Sequence, residues 1–153
     1  MGKSNVGLLT TYDQSIGLVA LIKRGLGPNN DGNFNPDITQ ARFPLQGADI
    51  RTVHLRVEPF RNNETSEQAA NRLMAAGHIL ADTGDLAGFL YDHPQEVAKF
   101  AWVVALAKSA RWADPDGHVC VPYACVDGSY RRFILGSFRF QFRSAYGVLV
   151  RCE

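Results

Sequence analysis

From His118 onward the chain is dominated by strand-forming residues, and this segment most limits the architecture it can adopt. Asp127–Gly128 is a type I′ hairpin pair that joins His118–Val126 to Ser129–Leu135. Beyond it the apolar parity moves from odd, at Phe133 and Leu135, to even, at Phe138, Phe140 and Phe142, so a bulge or turn at Gly136–Ser137 must absorb one residue. Ser144–Gly147 then turns into Val148–Cys152. The segment reads as an antiparallel meander of three or four strands, and it needs helices to cover one face.

Upstream segments supply those helices. Val6–Tyr12 has strand composition, and Asp13 is placed to cap a helix over Gln14–Arg24, with Gly25 at its left-handed C-terminal position. A second strand over Ile16–Ile22 is the alternative, because a buried strand and a buried helix share continuous apolarity. Residues 25–47 hold four glycines, three prolines and four asparagines, which predicts a long polar loop, either a lid or, more readily, a disordered segment. Asn29, Asp31, Gly32, Asn33 and Asn35 lack the first acid and last glutamate of a calcium loop. Ile50–Glu58 alternates, with Val53, Leu55 and Val57 on one face and Thr52, His54, Arg56 and Glu58 on the other, until Pro59 ends it.

Thr65-Ser66-Glu67-Gln68 is a capping box, so a helix starts there, with Ala69, Leu73, Met74, Gly77 and Leu80 as its apolar stripe. Asp82–Asp85 interrupts the stripe, and Leu86–Leu90 forms one more short helical turn. Pro94 opens a further helix expected to reach about Trp112. Its central turns are apolar all round, which places it at the centre of the domain or at a homodimer interface.

The fold expectation is therefore a single α+β domain over residues 1–153, with an N-terminal strand-helix unit, a long polar loop, and a C-terminal antiparallel meander packed on two or three helices. A net charge of +1 excludes strongly charged histone-like proteins, acidic tails and disordered activators. Three cysteines, Cys120, Cys125 and Cys152, cannot form a disulfide framework. Met1–Thr10 has no export-signal pattern, and the longest apolar run, Phe100–Ala107, is eight residues against the ~20 of a membrane span. A cytoplasmic protein without membrane association is expected.

Charge is uneven, with a net −3 over residues 59–100 and +3 over residues 101–153. Within Ser129–Cys152, Arg131, Arg132, Arg139, Arg143 and Arg151 interleave with six aromatic residues and no acid. Arginine forks bind phosphate and aromatic faces stack bases, which is the composition of a single-stranded nucleic-acid platform. Strict alternation over Phe138–Arg143 favours a plainer outcome, in which rings turn inward and guanidinium groups solvate the outer face. The aromatic strand of the RNA recognition module needs a small residue where Arg139 stands and an apolar one where Gln141 stands. Nucleic acid is thus the less favoured partner, and a protein or other anionic partner the more favoured.

His118 and Cys120 share a strand face, but with Cys125 of opposite parity and no Cys-x-x-Cys pair, no metal site is expected. No nucleotide, zinc-protease or serine-hydrolase fingerprint occurs, and no cofactor is expected. His54, with Arg56 and Glu58 beside it, is the one place where a base, a cation and a carboxylate share a rigid strand face. Two functional classes follow. The favoured one is a noncatalytic, self-associating binding protein that uses the helix from Pro94 to Trp112 or the sheet face bearing Arg131, Arg132, Arg139 and Arg143, with His54 and Arg56 as further candidate binding residues. The other is a small enzyme or small-molecule binder with a pocket between sheet and helices lined by Tyr91, Trp102, Trp112 and Tyr123.

Overall fold

The computed structural model describes residues 7–152, so the predicted strand start at Val6 lies outside the described residues. In chain order the elements are β1 (Leu8–Asp13), α1 (Leu18–Leu26), β2 (Ile50–Pro59), β3 (Glu64–Thr65), α2 (Ser66–Ala75), β4 (Ile79–Leu80), α3 (Thr83–Asp92), α4 (Pro94–Val97), β5 (Trp102–Val104), β6 (Trp112–Ala113), β7 (Val119–Asp127), β8 (Tyr130–Ser137), β9 (Gln141–Phe142) and β10 (Tyr146–Arg151). The protein is α+β, as its sequence implies. A mixed sheet runs β1-β2-β10-β5-β7, with β8 on the far side of β7, and β4 and β6 as short additions; β3 and β9 form a separate pair. Helices α1 and α3 cover one sheet face, where Tyr12, Leu21, Ile22, Leu55, Phe89, Val103, Phe133 and Leu149 are buried together. Helix α2 covers the other, over Leu73, Leu80, Val104, Tyr123, Phe142, Val148 and Val150. No helix among the described residues is long and apolar enough to cross a membrane.

The largest departure from expectation lies in residues 94–112. Pro94 does open a helix, but α4 is one turn long, and Trp102–Val104 is a strand lying parallel to β10 and antiparallel to β7. A strand with both faces covered reads as a continuous apolar run, so Phe100–Ala107 offered no period to tell it from a buried helix. The helix enclosed on every side is α3, whose residues Thr83–Leu90 are all buried. Gly84 and Gly88 let it close on β1: a Cβ at Gly88 would meet Tyr12 Cδ1 at 2.6 Å and Thr10 Cγ2 at 3.1 Å. The interruption at Asp82–Asp85 is its start, because Asp82 accepts from the Asp85 amide and Asp85 accepts from the Asp82 amide, a second capping box.

Other boundaries move for local reasons. Asp13 caps a 3-10 turn, Gln14–Ile16, rather than an α-helix, and α1 passes Gly25 to end at Gly27, whose φ is +86°. Helix α2 stops at Ala75, so Gly77 lies beyond it and Leu80 belongs to β4. In the β7–β8 hairpin Asp127 pairs with Tyr130; Gly128 has φ +63° while Ser129 is not among the positive-φ residues, the pattern of a type II′ rather than a type I′ turn. The Thr65–Gln68 capping box forms as read, with Gln68 N donating to Thr65 Oγ1 at 3.2 Å and Thr65 N donating to Gln68 Oε1 at 3.0 Å. Thr65→Ala is expected to lower stability by about 1 kcal/mol, seen as an earlier urea midpoint with an unchanged slope.

The long loop packs against the body of the protein. Ile38 and Phe43 are fully buried, and Phe34 bridges Phe133 on the outer edge of β8, with Asn35 N donating to Phe133 O and Phe133 N to Asn33 O, both at 3.0 Å. At the opposite edge Thr11 N donates to Asp92 Oδ2 at 3.1 Å, and His93 Nε2 donates to the Leu9 carbonyl at 2.8 Å.

Candidate functional site

A groove of about 730 Å3 lies between α2 and the segment that follows β5. Glu67, Ala70, Asn71 and Met74 fall at the three- and four-residue steps that put them on one face of α2, and they form one wall. Leu80 and Ala107 contribute apolar floor, Ile79 and Phe138 apolar flanks, and Lys108 and Arg111 line it from the chain beyond β5, where Lys108 opens a 3-10 turn. Met74 and Ile79 are 48% and 43% exposed, so apolar surface stands open to a ligand.

The cations of the groove are held differently. Arg111 donates from Nε and Nη2 to the Leu106 carbonyl, at 3.1 and 2.9 Å, and its guanidinium lies 4.5 Å from the centre of the Phe138 ring. Burial pulls its pKa below the usual arginine value, against an opposing pull from Glu67 across the groove, and it stays charged at neutral pH. Its Nη1 has no hydrogen-bond partner among the described residues. Lys108 is exposed, and neither it nor His78 forms an ion pair among those residues. The groove therefore offers a fixed guanidinium and an exposed ammonium beside apolar surface, with one acid opposite.

Sequence reasoning missed Lys108 and Arg111 because it placed them in a helix. It also missed a buried network at the head of α3. Asp85 accepts from Tyr12 OH at 2.6 Å and from Arg151 Nε at 3.0 Å, and lies 3.3 Å from Arg51 Nε; Arg151 Nη2 is 3.9 Å from Asp82 Oδ2. Burial first, and then the negative charge of Asp85, push the Asp82 carboxyl up to about 6, and the same two causes raise the Tyr12 phenol. Two carboxylates facing two guanidinium groups balance in charge, and both acids are fully buried. These residues line none of the grooves described here, so their chemistry holds the fold.

The residues singled out from sequence are dispersed. Arg131 turns inward, and its Nη1 donates to the Gly25 carbonyl near the end of α1 at 2.7 Å. Arg132 lies 5.4 Å from the centre of the Trp102 ring, which meets Tyr123 edge-on at 6.0 Å. Arg139 and Arg143 are exposed. The run that carries them is not one strand: β9 is only Gln141–Phe142, so Phe142 is buried, Phe138 half-buried beneath Arg111, and Phe140 54% exposed. The alternation argument fails where the chain turns between Ser137 and Phe140. His54 is exposed on β2, and Arg56 pairs with Glu58 beside it.

Nor do the four aromatics share a pocket. Tyr91 lies under Arg24 at 4.0 Å, Trp112 packs on Phe43 and under Arg42, and Tyr123 is nearly buried, with its hydroxyl donating to the Ser137 carbonyl at 3.1 Å. All three cysteines are free, and burial raises the Cys120 and Cys125 thiols above their usual value, the opposite of an activated nucleophile. Asp114, Asp116 and His118 bring ligand atoms within 4.8 Å of one another, but Asp114 Oδ1 already accepts from the Asp116 and His118 amides to hold that exposed turn. Protein-family models, curated proteins and solved structures yield no match to this chain.

Proposed function

We propose that this is a noncatalytic binding protein whose groove between α2 and the Lys108–Arg111 segment takes a small amphipathic anion, a carboxylate on a hydrocarbon body. The supporting observation is the pairing of exposed Met74 and Ile79 with a guanidinium whose Nη1 is free among the described residues. Small-ligand sites are typically about 300–1,000 Å3, largely apolar with a few polar groups, and this groove fits both criteria. Its lining includes no hydroxyl or thiol nucleophile, which favours binding over covalent catalysis. Unpaired cysteines suit the reducing cytoplasm expected from the sequence. The expected homodimer rested on a helix that does not form; Trp102 packs within its own chain, so the groove and not a self-interface is taken as the functional surface.

Titration calorimetry with decanoate and with decylammonium tests this. Decanoate is expected to bind saturably and decylammonium not to, because only the anion complements Arg111 and Lys108. Arg111→Gln should weaken decanoate about tenfold, the loss of one charge-assisted hydrogen bond. Asn71→Trp, at an exposed lining position, should fill the groove and abolish binding while the thermal melt stays cooperative. Equal affinity for both amphiphiles, or for neither, rules the proposal out.

A further inference from the structure

Two adjacent clefts flank β8, apart from the groove. Tyr130 and Arg132 are two residues apart and so share a strand face, and both line two adjacent clefts. The first, about 490 Å3, is also lined by Trp102, Lys99 and Asp127; the second, about 380 Å3, by Phe34 and Asn35. Tyr130 is 50% exposed, and Trp102 is half-buried with Arg132 over its ring. The Arg132 guanidinium forms no ion pair among the described residues, an uncompensated cation on a ridge between two partly aromatic clefts.

We propose that this ridge binds single-stranded nucleic acid, with successive bases on either side of Tyr130 and the intervening phosphodiester at Arg132. The chemistry matches element by element. Aromatic faces accept unpaired bases whatever their identity, and a guanidinium without a carboxylate partner neutralises the phosphate, while Lys99 of the first cleft is already paired with Glu96 at 2.9 Å and leaves Arg132 as the cation available there. Asp127 lines only that cleft, where its carboxylate accepts from a base amine. Exposed Arg139 and Arg143 lie on other parts of the chain and line neither cleft, so they take no part.

The probe is a labelled oligodeoxycytidine of about eight nucleotides, within the usual span of one small domain. Fluorescence anisotropy at two salt concentrations should show binding that weakens as salt rises, by the counterion release of one or two phosphates. Tyr130→Ala and Arg132→Gln should each lower affinity about tenfold, whereas Arg139→Gln with Arg143→Gln, and Lys108→Gln in the groove, should leave it unchanged. In a Trp112→Phe background the oligonucleotide should quench the remaining Trp102 emission. Absence of binding at low salt overturns the proposal. So does binding lost equally through Arg139 and Arg143, which would mean diffuse attraction to exposed charge. Melting curves for each variant separate loss of the site from loss of the fold.

Discussion

Asp85→Ala is expected to remove about 3–5 kcal/mol of stability, the loss typical when one partner of a buried ion pair is deleted. Small domains have only about 5–15 kcal/mol in total, so the variant should be partly unfolded near 37 °C. The reason is what would be left behind. Asp85 is the acceptor for the Tyr12 hydroxyl, the Arg151 guanidinium and the Asp82 amide, and it neutralises Arg51 at 3.3 Å. Both arginine side chains are less than one-fifth exposed, so neither can recover hydration without moving the strands that hold it. Asp85→Asn should fall between, since an amide oxygen still accepts from Tyr12 but brings no charge. Urea unfolding followed by circular dichroism measures both; a loss below about 1 kcal/mol for the alanine variant would show that the network adds little.

Asp82→Asn should act in the opposite direction at neutral pH. Burial raises the Asp82 carboxyl to about 6 from an ordinary value of 3.8, so in the interval between them the folded chain holds a proton that the unfolded chain has released. Stability then falls as pH rises through that window, by about 3 kcal/mol in all, and Asp82 weakens the fold least below about pH 4. The paired Glu64 has the reverse sign. Its carboxyl is lowered chiefly by the hydrogen bond from Arg72, and its contribution disappears as the pH drops through that lowered value. Asparagine keeps the cap to the Asp85 amide without the charge, but its amide N–H would face Arg151, so a gain of about 1–2 kcal/mol near pH 7.5 is expected. Urea midpoints for both proteins from about pH 4 to about pH 7.5 should diverge as pH increases. A difference independent of pH would mean that Asp82 does not titrate there.

These two predictions depend on residues that local patterns expose unevenly. Thr65–Gln68 was legible because cap and reciprocal partner are three residues apart, and β2 because one of its faces is wetter than the other. Asp82 and Asp85 have the same three-residue spacing as a capping box and were open to that reading. Their partners were not, because Tyr12, Arg51 and Arg151 arrive from three different strands. β5 was hidden for a related reason: burial on both faces erases periodicity, and only the pairing to β7 and β10 tells that Val103 and Val104 are extended. One groove wall, on α2, follows helical spacing; the other depends on where the chain goes after β5. Arg132 was visible as part of a cationic, aromatic segment, yet its contrast with Arg131 appears only when the pleat sends one to Trp102 and the other to the end of α1.

The treatment of the outermost strands bears on how molecules of this protein behave toward one another. Amides and carbonyls that face outward from a sheet invite an extended segment of a neighbouring molecule to dock and prolong the ladder. Here the tail of α3 occupies Leu9 and Thr11, and the Asn33–Asn35 stretch occupies Phe133. Growth into fibrous stacks would first require one of these guards to peel away. Concentrated samples should therefore resist fibril formation until conditions loosen the tail of α3 or the Asn33–Asn35 stretch.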